Sequence, residues 1–137
     1  MEQEVNTTRS KVFEHLMVAL LSVNNYPLER AWELRDHLRR AGLFDPAQVA
    51  GFDQDELVVR LKRGGYDRGD FLTGLVASRL ATVAQYLVGV VGSDQAAERL
   101  TAGSKTEVTD LLIKAKGIGP VVIRTFLLLR DSGNVSP

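Results

Sequence analysis

The chain has 137 residues, 45% of them hydrophobic and 25% charged, with 17 Lys plus Arg balancing 17 Asp plus Glu. That composition describes a globular domain and excludes a disordered tail, a collagen-like fibre or a coiled-coil rod, while the zero net charge means that any basic footprint must be local. The absence of cysteine excludes disulfides, thiolate metal sites and cysteine nucleophiles and suits a cytoplasmic compartment; no apolar run of membrane-spanning length or signal-peptide core stands out, so no membrane partner is expected.

Apolar spacing is helical almost throughout, which predicts an all-α, compact helical bundle. Val12, Phe13, Leu16, Met17, Leu20 and Leu21 share one helix face, with Thr7 or Thr8 as a candidate cap. A second helix is expected from Pro27 through Leu28, Ala31, Trp32, Leu34 and Leu38 to a stop at Gly42. Asp45-Pro46 reads as a cap and a first-turn proline opening a short helix to about Ala50. Asp53 with Glu56 three residues on resembles a capping box, for a helix to about Leu61. Gly64-Gly65 breaks the chain. From Asp67 or Asp70 the longest periodic stretch carries Phe71, Leu75, Leu80, Val83, Ala84, Leu87 and Val91, ending at Gly92-Ser93. A short helix around residues 94–100 follows. Ser104 and Glu107 then form an S-x-x-E capping box ahead of Val108, Leu111 and Leu112. Lys116-Gly117-Ile118-Gly119 is a tight turn, and Pro120 opens a last helix with Val122, Thr125, Phe126 and Leu129. No linker divides the chain, so residues 1–137 read as one domain with frayed ends at about 1–8 and 131–137.

The stretch TDLLIKAKGIGPVVIRTFLLLR, Thr109 to Arg130, carries the most chemistry. Its glycines leave the backbone open to close approach. Beyond Gly119 the start of a helix presents unpaired N–H groups and the positive end of its dipole, a natural anion site. Ile118 is expected to plug the hairpin into the core. Five cations, Lys105, Lys114, Lys116, Arg124 and Arg130, surround it against two acids, Glu107 and Asp110. That combination suits a DNA phosphate; the plainer alternative is a tight turn between packed helices.

LLIKAKGIGPVVIRTFLLLR resembles the helix-hairpin-helix of the DNA glycosylase superfamily typified by endonuclease III. Upstream, FEHLMVALLSVNNYPLERAWEL resembles the family's opening helices, and AGLFDPAQVAGFDQDELVVRLKRGGYDR the segment after them. The resemblance covers about residues 10–135. It implies a six-helix barrel domain, a helix-hairpin-helix near the C-terminus, double-stranded DNA as partner and base-excision repair as setting. The DNA-binding residues it implies are Lys114, Lys116, Gly117, Ile118, Gly119, Val121, Val122 and Arg124 of the hairpin. To these it adds Asn24 and Asn25, where the family probes the gap left by a flipped base, and Arg63 and Arg68 of a second basic cluster with Arg60 and Lys62. No organic cofactor is implied. A potassium or sodium ion on the backbone carbonyls of Ile113, Ala115 and Ile118 is.

The departures are informative. Val121 stands where bifunctional members carry the lysine that attacks the sugar, and valine forms no imine, so lyase activity is not expected. The family's catalytic aspartate would fall beyond Pro137. Asp131 is the nearest acid and only a weak substitute for it. The expected function is therefore DNA binding of the glycosylase type without the catalytic Lys and Asp. Its alternatives are a non-catalytic helical DNA- or protein-interaction domain, and a truncated piece of a monofunctional glycosylase; a protein partner that supplies missing segments is a further expectation.

Asparagine is also common in a helix stop such as VNNYP, and the 60–68 cluster is equally well a solvated helix end. Trp32 reads as core, His15 and His37 as surface or half-buried residues. A cap explains Asp53, Asp55 and Glu56 better than a metal does.

Overall fold

A computed structural model describes residues 2–23 and 25–132, with side chains from Lys11 onward. Helix α1 (Glu2–Leu21) is followed by α2 (Leu28–Glu33), α3 (Arg35–Arg40), α4 (Pro46–Ala50), α5 (Gln54–Arg63), α6 (Gly69–Gln85), α7 (Ser93–Ala102), α8 (Lys105–Leu112) and α9 (Pro120–Ser132). Among the described residues there is no strand, and the all-α expectation holds.

Helix α1 is the axis of the bundle. Leu16, Met17, Val18, Ala19, Leu20 and Leu21 are each no more than 1% exposed. A helix apolar on every side must be covered on every side. Here α9, α7, α2 and α6 cover it, while α4 and α5 pack on α6. The sequence pattern assigned α1 a single buried face; the run LMVALL is enclosed all round. Glu14, also buried, is compensated by an ion pair with Arg39 of α3.

Several boundaries move for identifiable reasons. Thr7 and Thr8 lie inside α1, which already begins at Glu2, so neither caps it. The single helix expected over 27–42 is two. Leu34 N–H is shared between the carbonyls of Arg30 and Ala31 at 3.3 Å each, and the Arg35 Nε donates to Trp32 O at 2.8 Å. These contacts tighten the turn and break the helix there. Pro27 sits one residue before α2, as its N-cap. The other signals hold where they were read. Asp45 Oδ1 accepts from Ala47 N at 3.0 Å, Asp53 Oδ1 from Glu56 N at 2.8 Å, and Ser104 and Glu107 exchange both bonds of a capping box. Glu56 pairs with Arg60 at 2.8 Å rather than completing a box, so this acidic run is a capped, ion-paired helix start.

Phe71 corrects the expected stripe of α6: it is 80% exposed, while Val76, Ala77, Leu80, Val83 and Ala84 carry the buried face. After Gln85 the helix widens into a π-helical segment, Tyr86–Val91. The wider turns keep Leu87 buried but leave Val90 78% exposed. Together these segments form one helical stretch, Gly69–Val91, long and apolar enough by composition to cross a membrane, which the sequence reading passed over. Its inward residues are built into the bundle core.

Candidate nucleic-acid interface

The hairpin is shaped by three local features. The capping box fixes the start of α8. Two overlapping turns then carry the chain out of the helix, with Ala115 N–H donating to Leu112 O at 3.0 Å and Ile118 N–H to Ala115 O at 3.2 Å. Gly117 takes φ +99°, a backbone state that side chains oppose, and Ile123 N–H donates to Gly119 O at 3.2 Å to close the first turn of α9. Pro120 supplies no N–H, so the donors facing outward from this helix start are the amides of its next residues, Val121 and Val122.

Burial alternates sharply along the loop. Ala115 and Ile118 are buried in the core, so Ile118 is the anchor expected of it. Lys114, Lys116, Gly117 and Arg124 are exposed, and Ile113 and Val121 present apolar surface beside them, 48% and 66% exposed. A Cβ placed on Gly119 would meet nothing within 4 Å, so the backbone there is open.

The same burial corrects part of the expected contact set. The side chains of Val122 and Ile118, 5% and 6% exposed, point into the core; only their backbone groups face an interface. Arg130 leaves the basic cluster as well. Its guanidinium donates to Leu100 O at 3.1 Å and Gly103 O at 2.7 Å, closing the end of α7, and pairs with Asp131 at 2.9 Å. Asp131, the weak catalytic candidate, is thus an exposed, ion-paired residue in the last turn of α9. Of the three carbonyls considered for a monovalent cation, that of Ala115 already accepts from Ile118 N–H. Among the described residues no group of three or more His, Cys, Asp or Glu side chains is placed to hold a metal.

The second cluster is largely structural. Arg60 pairs with Glu56 and donates to Ala41 O at 2.7 Å, and Lys62 pairs with Asp70 at 2.9 Å. Arg68 donates to Val23 O at 2.6 Å and lies 5.2 Å over the Tyr26 ring, and its backbone N–H donates to Thr73 Oγ1 at 2.8 Å. Arg63 is exposed. Asn24 lies outside the described residues. Asn25 is exposed with φ +69°, a left-handed turn position that asparagine tolerates better than most residues.

Tyr66 ties these turns together, and its role is not visible in the sequence. It is fully buried, donates to Leu21 O at 2.6 Å and packs on Tyr26 with ring centroids 4.7 Å apart. Burial pushes its phenol upward from the ordinary 10.0, opposed by hydrogen bonding to Arg68, by the Arg68 charge and by the charge of Arg79. Arg79 also touches the hairpin: a Cβ on Gly117 would lie 3.3 Å from its Cγ. Tyr66 thus joins the end of α1 and Tyr26 to the 64–68 turn, while the Arg79 stem lies beside Gly117 of the hairpin.

His15 and Trp32 lie away from this face. His15 is buried rather than half-exposed, stacked on Trp32 at 5.8 Å, with Arg35 on Trp32 at 3.7 Å. Trp32 is partly buried against the core, as read, and His37 is exposed. No protein-family model, curated protein or solved structure matches this chain.

Proposed function

We propose that this chain binds double-stranded DNA through the 113–119 hairpin, in the manner of a base-excision repair protein but without lyase chemistry. The observation that carries the reading is the division of labour in that loop. Ile118 and Ala115 anchor it, Gly119 leaves the backbone open, and exposed Lys114, Lys116 and Arg124 flank the start of α9. Backbone amides at a helix start hold a phosphate by hydrogen bonds and dipole, and flanking cations add charge that is not sequence-specific. A potassium or sodium ion on the carbonyls of Ile113, Ala115 and Ile118 would belong to the same reading. Val121 offers no amine for a sugar, and the reading gives Asp131 no catalytic role.

Binding of a labelled duplex at several salt concentrations tests this. The chain should bind with a negative dependence of log K on log salt. Lys116→Ala should weaken binding by a similar factor for unrelated sequences and flatten that slope by about one. Borohydride trapping on abasic-site DNA should yield no covalent adduct. A chain that binds no duplex at low salt, or a Lys116→Ala variant indistinguishable from it, overturns the proposal.

A further inference from the structure

Five of the described arginines are half-buried: Arg35, Arg60, Arg68, Arg79 and Arg130. Four of them donate to backbone carbonyls, Arg35 to Trp32, Arg60 to Ala41, Arg68 to Val23 and Arg130 to Leu100 and Gly103. Such bonds are how a protein accommodates a guanidinium whose stem is taken out of water. Arg79 is the exception. Among the described residues it makes no hydrogen bond and no ion pair. Its stem lies against the one hairpin glycine with positive φ: a Cβ at Gly117 would stand 3.3 Å from its Cγ and 3.6 Å from its Cβ. Its charge is also felt at Tyr66, under the 64–68 turn. Helix α6 thus holds a cation beside the glycine turn, with its stem against the turn and its donors unspent.

We infer that Arg79 is a DNA-phosphate-binding residue, which takes a backbone phosphate of the duplex beside the one held at the hairpin. This inference rests on the duplex-binding reading above. A planar guanidinium with five donors suits a phosphate, and a stem held against Gly117 reduces the side-chain entropy lost on binding. The arrangement also gives Gly117 a second role besides its backbone conformation: a side chain there would crowd the arginine stem.

The test is the salt dependence of duplex binding for Arg79→Met, which keeps an unbranched apolar stem against Gly117 and removes the charge. The expected result is a several-fold loss of affinity near 0.1 M salt and a log K–log salt slope shallower by about one. Arg79→Lys should recover the slope, since it restores the charge without the planar fork. If Arg79→Met fails to fold, as judged by far-ultraviolet circular dichroism, Arg79→Gln takes its place under the same criterion. Unchanged affinity and slope, in a background where Lys116→Ala does weaken binding, overturn the Arg79 inference and leave the hairpin reading intact. A parent chain that binds no duplex overturns both.

Discussion

Replacing Gly117 with alanine isolates the forces that hold the hairpin against α6. At φ +99° an L-residue pays roughly 1–2 kcal/mol in local sterics. The new methyl would also stand 3.3 Å from Arg79 Cγ, so the arginine stem must give by a few tenths of an ångström, a smaller distortion than the off-rotamer turn that costs about 0.5–1.5 kcal/mol. Together the two effects should lower stability by about 1–3 kcal/mol, or the thermal midpoint by about 3–10 °C in a chain of this size. Gly119→Ala is the internal control. Its Cβ meets nothing within 4 Å and its φ is not positive, so its effect should stay within about 0.5 kcal/mol. Thermal or urea unfolding of the two variants gives the comparison directly. Repeating Gly117→Ala in an Arg79→Ala background removes the Cγ and should recover only the steric part of the cost, leaving the backbone strain in place. Equal midpoints for Gly117→Ala and Gly119→Ala would refute this account of the hairpin.

Tyr66→Phe removes the bond to Leu21 O and leaves that carbonyl buried without its partner, so it should cost about 1–3 kcal/mol in urea unfolding. Ser104→Ala removes the side-chain half of the capping box and should lower stability by about 1 kcal/mol, with far-ultraviolet helicity little changed at room temperature. Burial lowers the pKa of His15 from the ordinary 6.5, with Arg35 and Lys11 acting in the same direction and Glu14 against it. A lowered base binds fewer protons folded than unfolded, so stability should be fully present above pH 6.5 and fall as pH drops below it, until the folded imidazole also titrates. His15→Phe keeps a ring on Trp32 and should flatten the stability–pH curve in that window; an unaltered curve would show that another group sets it.

The helix signals were legible because they are local. Asp45, Asp53 and Ser104 each satisfy a nearby amide, and that chemistry is complete within three residues. The buried face of α9 and the anchoring of Ile118 followed from spacing alone. What the sequence concealed was tertiary. Phe71 lies in helical phase with its neighbours, yet no neighbouring element covers it, and it is exposed. Arg130 and Lys116 look alike in a count of charges, but one is spent on the end of α7 and the other is exposed. Val122 follows the Gly117–Pro120 turn by two residues and still turns inward, because it lies on the buried face of α9 with Phe126 and Leu129. Arg79 carried no signal at all. It lies in the middle of an apolar helix and gains its meaning from a glycine far along the chain.

The enclosure of α1 has a consequence for how the chain is made. A ribosome releases α1 long before α9 exists, yet α9 is one of the walls that keep LMVALL from water. During that interval six consecutive apolar residues have no complete shelter, the kind of exposed segment that chaperones and proteases act on. Closing the bundle then means joining segments more than a hundred residues apart, though the entropic cost of so long a loop grows only logarithmically with its length. The nascent chain is thus vulnerable at LMVALL until α9 emerges, and the hairpin before α9 gains its lasting position in the same step that covers α1. A substitution that weakens the α1–α9 contact should therefore lower the yield of intact protein in a cell more than its effect on equilibrium stability would suggest.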